Sequence, residues 1–230
     1  MATNGRYGYF RDELYFLACS DHLAWAYVDF APLVALVTHI SRFVLGDSLH
    51  ALRLFPALAQ GRQILITALI TRELLLQPPS PHEVVLASGS GRFAPLPQHF
   101  GDEFGWEEMV ASTAQVYNSL PPDLRAKTCI LAGTYGDAGA IDSFGPRYGL
   151  PKSISPHQHY YLWGPRQSTG ESLILLHYDL EDARRACQSV QEGPSLSHLY
   201  AMQEEHHTIL VCRNAKLPLS QAWPLLKVWN

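Results

Sequence analysis

The chain has no excess of positive charge: 17 Lys and Arg stand against 21 Asp and Glu, for a formal charge of −4. Its basic residues are scattered, so nucleic-acid binding, which needs clustered Lys and Arg, is not expected. Cysteine is scarce. Cys19, Cys129, Cys187 and Cys212 lie far apart, with no CxxC or Cys/His spacing of the kind that closes a zinc site. They read as free thiols, Cys129 and Cys212 being small hydrophobes in strand-like runs, and they leave the compartment open. No apolar h-region precedes Asp12, so no secretory signal is expected. Long apolar runs are missing too. Residues 31–45 hold His39 and Arg42, and residues 55–70 hold Gln60, Arg62 and Gln63. Neither run reaches the ~20 apolar residues of a spanning helix, and a central Arg costs about 2.5 kcal/mol or more in lipid. Hydropathy therefore supports only peripheral or marginal membrane association. There is no Gly-x-Ser-x-Gly elbow for a serine hydrolase, and no repeat at a fixed period.

What is present suffices for a sizeable core: 230 residues, 47% of them hydrophobic and 17% charged. Residues 77–98 carry five prolines and the Ser88-Gly89-Ser90-Gly91 run, which is linker chemistry. They divide the chain into a helical segment, 1–76, and an α/β domain, 99–230. In the first part, residues 12–24, 32–45 and 49–75 show helical spacing, with Gly46-Asp47-Ser48 as a stop and N-cap. In the second, helices over 106–119, 138–144, 180–190 and 219–228 alternate with strands over 128–132, 172–177 and 208–212. That alternation predicts a small α/β layer with a mostly parallel sheet.

Three groups of residues invite a chemical reading. Asp12 and Glu13 sit side by side among Tyr7, Tyr9, Tyr15 and Trp25, as a general base or cation ligand beside aromatic surfaces that suit a sugar or lipid head group. Acidic residues in a helix first turn also favour the macrodipole, which is the plainer account. Gly133 to Gly139 (GTYGDAG) follow a strand and open a helix, as in phosphate-binding turns, but GxxGxxG spacing fits a tightly packed strand-to-helix turn better. His157, His159, His206 and His207 suggest a metal cluster. The aromatic neighbours Tyr160, Tyr161 and Trp163 and the opposed directions of adjacent strand residues argue for packing instead, so no metal ligand is assigned.

The run from Gly5 to Ala59, GRYGYFRDELYFLACSDHLAWAYVDFAPLVALVTHISRFVLGDSLHALRLFPALA, resembles the start of bacterial polytopic glycosyltransferases related to the protein O-mannosyltransferases and the aminoarabinose lipid A transferases. In that family an Asp-Glu pair follows the first membrane helix on the outer face, and the Asp acts as base on the acceptor. Asp12 matches that Asp and Glu13 its neighbour. Tyr27-Val28-Asp29-Phe30-Ala31-Pro32 resembles the next loop, often Tyr-Val-Asp-His-Pro-Pro, with Phe30 and Ala31 as departures. LRLFPAL from Leu52 and TREL from Thr71 resemble the start and the cytoplasmic end of the next membrane helix. HFGDEFGWEEMV, AGTYGDAGAIDSFGPRYGLP, HQHYYLWGP and WPLLKVWN resemble the soluble extracytoplasmic tail of some of these enzymes.

The resemblance joins the two ends of such a transferase: the helix that the family places before Gly5 is not expected in residues 1–4, and a short linker is expected in place of the central membrane helices. It implies transfer of a sugar from a polyprenyl-phosphate donor, with Asp12 and Glu13 catalytic, Asp29 and Arg53 binding substrate, no certain cofactor beyond a possible divalent cation, and a lipid-linked donor and a membrane as partners. It also implies weak or no activity for this form, because inverting transfer needs a donor groove and groups that stabilise the leaving phosphate. Arg53 fits such a phosphate contact or a structural pair with a nearby carboxylate. The alternative is a non-catalytic α/β interaction or sugar-recognition module whose N-terminal helices form a loosely docked, membrane-adherent appendage.

Overall fold

The computed structural model describes residues 8–74, 101–201 and 205–229, with side chains at 73 and 74 excepted. The linker at 77–98 lies outside the described residues. Three helices open the described chain: α1 (Arg11–Ser20), α2 (Pro32–Leu45) and α3 (Leu49–Leu74). Then follow α4 (Trp106–Ser119), α5 (Pro122–Arg125), β1 (Thr128–Ala132), α6 (Tyr135–Phe144), a 3-10 turn (Gly145–Tyr148) and α7 (Gln158–Leu162). The chain continues through β2 (Ser172–Leu176), α8 (Leu180–Ala186), β3 (Cys187–Ser195), β4 (Thr208–Ala215) and α9 (Leu219–Leu226).

The local chemistry accounts for the helix ends. Glu13 turns back to accept the Phe10 N–H at 2.9 Å, satisfying a donor at the start of α1. Gly46, at φ 82°, ends α2, and the Ser48 hydroxyl accepts the Ala51 N–H at 3.1 Å to start α3. Thr134 caps α6 by accepting from the Asp137 N–H at 3.1 Å.

The four strands lie in the order β1-β2-β4-β3. The α/β class holds, but the sheet is mixed rather than mostly parallel: β1 and β2 run parallel, and β2 with β4 and β3 with β4 run antiparallel. The correction comes from β3. The helix expected over 180–190 ends at Ala186, and Cys187 starts an edge strand, CQSVQEGPS, whose side chains are mostly exposed. A solvated edge strand needs no apolar alternation and tolerates Gly193-Pro194, so its pattern resembles a helix end and a turn. The same strand overturns the free-thiol reading. β3 lies beside β4 in a register that sets Val190 opposite Cys212. Cys187, at the start of that strand, lies 5.7 Å (Cα to Cα) from Cys212, and the two form a disulfide. Cys19 and Cys129 are free thiols.

β1, β2 and β4 are buried on both faces, which explains their nearly continuous apolar runs. Alternate residues build two cores. Ile130, Ile174, Ile209 and Val211 pack with Trp106, Met109, Val110 and Ile141 on one side, and Leu14 of α1 lies in this same core. Leu131, Leu173, Leu175, Leu210 and the disulfide pack with Ile154, Leu219 and Trp223 on the other. Tyr15, Ala18 and Cys19 extend α1 into a third cluster with Ala132, Ala138 and Tyr160. By contrast α2 and α3 leave Leu33, Phe43, Ile64, Leu65 and Leu69 exposed. Leu49–Arg72 of α3 is long and apolar enough to cross a membrane by length and composition, and its apolar 18-residue window is not buried in the protein, although Ala51 and Leu52 near its start are. Peripheral or marginal association is what this surface allows, with Arg53 and Arg62 opposing deeper insertion.

Candidate functional site at the carboxyl edge of the sheet

In open α/β sheets ligands bind beyond the carboxyl ends of parallel strands. At that edge Thr134 and Tyr135 follow β1 and His177 follows β2; His207 precedes the antiparallel β4, whose amino end lies at the same edge. The α1 helix crosses α6 there. Its close approach is set by glycine: a Cβ on Gly139 would stand 2.9 Å from the Leu14 carbonyl, and one on Gly136 would stand 2.6 Å from Arg11 Cγ. Gly133 passes equally close to the His177 carbonyl. The glycines of GTYGDAG therefore serve packing between elements rather than opening a phosphate cradle.

This crossing places Asp12 against Tyr135. The Tyr135 hydroxyl donates to Asp12 Oδ1 at 2.8 Å. The Tyr135 ring stacks on Tyr15 with centroids 4.7 Å apart, and the Tyr15 hydroxyl donates to Asp29 Oδ1 at 3.1 Å while accepting the His159 N–H at 3.0 Å. Two carboxylates thus flank a stacked tyrosine pair. Burial raises the Asp29 carboxyl above its ordinary value, the Tyr15 hydrogen bond opposes the rise, and the nearby charge of Asp12 adds to it. Burial, reinforced by Asp12, also keeps the Tyr135 hydroxyl protonated and hence a donor. Asp12 is partly accessible, oriented by a neutral phenol, and able to accept a proton from a hydroxyl placed against it.

Glu13 and Arg53 sit apart from this pair and hold each other. Arg53 donates through Nε and Nη2 to the two oxygens of Glu13, at 2.6 and 2.7 Å, and through Nη2 to the Gly8 carbonyl at 2.8 Å. This bidentate bond ties α3 to α1. Of the four residues singled out in the sequence, Asp12 and Asp29 come together around the tyrosines, while Glu13 and Arg53 form a separate structural pair.

Arg11 and His177 at this edge carry no mark in the sequence, and Asp137, His157 and His207 are marked there only within the glycine run and the histidine group. Arg11 lies 3.4 Å from Asp102 and 3.9 Å from Glu205, with its guanidinium 5.8 Å from the centre of the Tyr135 ring. His157 accepts the Tyr135 N–H at Nδ1, 3.3 Å. Burial, with the charge of Arg11, pushes its pKa down to about 4, so the ring is neutral. Asp137, His177 and His207 place one ligand-capable atom each within 4.8 Å of one another, an arrangement that permits a divalent cation. The histidines weighed from sequence divide differently. His159 packs between Tyr27 and Trp163, His206 bonds the His198 carbonyl, and only His207 joins this group. The missed residues come from separate elements, so no spacing in the chain announces them.

Comparison with protein-family models, with curated proteins and with solved structures finds no match to this chain.

Proposed function

We propose that the chain is a glycosyltransferase-family protein of the lipid-linked sugar type, acting on a polyprenyl-phosphate sugar with Asp12 as base, and weak or inactive in this form. The observation that carries this reading is the position of Asp12. It stands with Asp29 and the Tyr15–Tyr135 stack where the exposed apolar helices meet the α/β layer. An apolar groove lined by Leu23, Ala24, Trp25, Pro32, Leu33 and Leu36 adjoins the loop that carries Asp29, and Trp25 is 98% exposed. A lipid chain fits the groove and a sugar fits the tyrosines and carboxylates. The disulfide supports the extracytoplasmic side of a membrane, since such bonds persist in oxidising compartments.

Weak activity follows from the arginines. Arg53 is held by Glu13, Arg42 by Asp21 and Asp47, and Arg11 lies against Asp102. Each is already neutralised by a carboxylate and is poorly placed to stabilise a leaving phosphate. The non-catalytic module draws on the same fact, and any turnover that depends on Asp12 would exclude it. With labelled donor in vesicles and a hydroxyl acceptor, transfer is expected to be slow, and Asp12→Asn is expected to remove what there is. Fast transfer abolished by Asp12→Asn would keep the base and overturn the weakness. Transfer unaffected by Asp12→Asn would overturn the base, and no transfer at all would leave the inactive transferase and the module to be separated by donor binding.

A further inference from the structure

We propose that Asp137, His177 and His207 bind one divalent transition-metal ion of the zinc type. Their ligand-capable atoms lie within 4.8 Å of one another. An ion at their centre would sit no farther than roughly 2.8 Å from each, against about 2.0–2.2 Å in a closed site, so side-chain adjustments below an ångström complete the set. Two imidazoles and a carboxylate are the donor set of a site that keeps a further position for water.

Three observations point to a cation rather than to incidental packing. First, Asp137 is fully buried. Its Oδ2 accepts the Thr134 hydroxyl at 2.8 Å and lies 3.6 Å from His177 Nδ1, but its Oδ1 has no hydrogen-bond partner. A buried carboxylate without full compensation is costly, and a divalent ion supplies the missing charge. Second, His177 Nδ1 and the ring nitrogens of His207 are buried without a well-formed hydrogen bond, although the Glu205 backbone lies near the His207 ring. Buried polar atoms are normally satisfied, and this concentration of unsatisfied donors and acceptors at one point is what a metal would resolve. Third, His177 adopts φ 63°, a left-handed conformation unusual for a residue with a side chain. That turn sets its ring beside Asp137, where Gly133 lets the two segments pass.

The three ligands come from the start of α6, the end of β2 and the start of β4, so an ion would join three elements of the edge that carries Tyr135. The proposal is independent of the sugar-transfer reading and is tested by metal uptake alone. Untagged full-length protein, stripped with chelator, is titrated with Zn²⁺ by calorimetry, and with Co²⁺ by visible absorption. One equivalent is expected to bind, raising the melting temperature in a chelator-reversible way. His177→Gln and His207→Gln are expected to weaken binding at least tenfold with unchanged far-UV circular dichroism. His206→Gln, whose native ring bonds the His198 carbonyl, is expected to bind like wild type. Should the histidine variants fail to fold, the nearly isosteric Asp137→Asn reports the same loss. Absence of stoichiometric uptake by folded wild type, or equal uptake by the folded ligand variants, would overturn the site.

Discussion

Replacing Leu14 by alanine is expected to destabilise the protein by about 3–4 kcal/mol, within the range for a fully buried leucine that leaves a cavity. Leu14 has no exposed surface and packs in the core shared by Ile130, Ile141 and Ile174. The backbone of α1 at this residue rests against Gly139, where even a methyl group would intrude, so the helix has little freedom to close a void. Urea unfolding checks the value, with Leu33→Ala in the exposed face of α2 as a reference expected to change stability by ~0.5 kcal/mol or less. The experiment bears on function, because the same crossing sets Asp12 against Tyr135. A loosely docked appendage would lose under about 1 kcal/mol from Leu14→Ala, and such a result would favour the non-catalytic module.

The double replacement Cys187→Ala, Cys212→Ala is expected to cost about 3 kcal/mol. The bond closes a loop with a sequence separation of 25, and cross-linking that length restricts the unfolded chain by roughly that amount. Both residues are buried in the core below the sheet, where alanine leaves no unsatisfied polar group. Wild type treated with reductant is expected to show a comparable loss in urea. Thiol titration of unfolded, unreduced protein should count two groups, Cys19 and Cys129. Four reactive thiols, or identical unfolding with and without reductant, would contradict this result and remove the support that the bond lends to an extracytoplasmic location.

The bond was hidden in the sequence for the same reason as the sheet's direction. β1, β2 and β4 declare themselves as apolar runs because both faces are buried, and α2, α3 and α4 declare themselves by spacing, with Gly46 and Ser48 marking the break between α2 and α3. β3 is an exposed edge with a polar sequence, so nothing obliges it to alternate; a helical reading of 180–190 leaves Cys187 without a neighbour and the sheet parallel. The site was legible to a similar degree. Asp12 and Glu13 are adjacent and acidic, but adjacent residues on a helix face different ways. One meets Tyr135 and the other Arg53, and only the packed fold separates their roles. Asp137 and His177 belong to a glycine-rich turn and a strand end that look like ordinary connections until the sheet brings them to His207.

The proposed function has the tyrosines and carboxylates around Asp12 recognise a lipid-linked sugar. Its most direct measurement is the affinity of the protein for vesicles that contain a polyprenyl-phosphate sugar, relative to vesicles of the same lipid without it, by co-flotation. Wild type is expected to bind both through its apolar helices and to bind the sugar-bearing vesicles at least tenfold more tightly. Asp29→Asn is expected to keep the binding to plain vesicles and to lose the preference, while Asp12→Asn, which removes the base that acts on the acceptor, is expected to keep both. Equal affinity of wild type for the two vesicles, or a preference that survives Asp29→Asn, would contradict this reading.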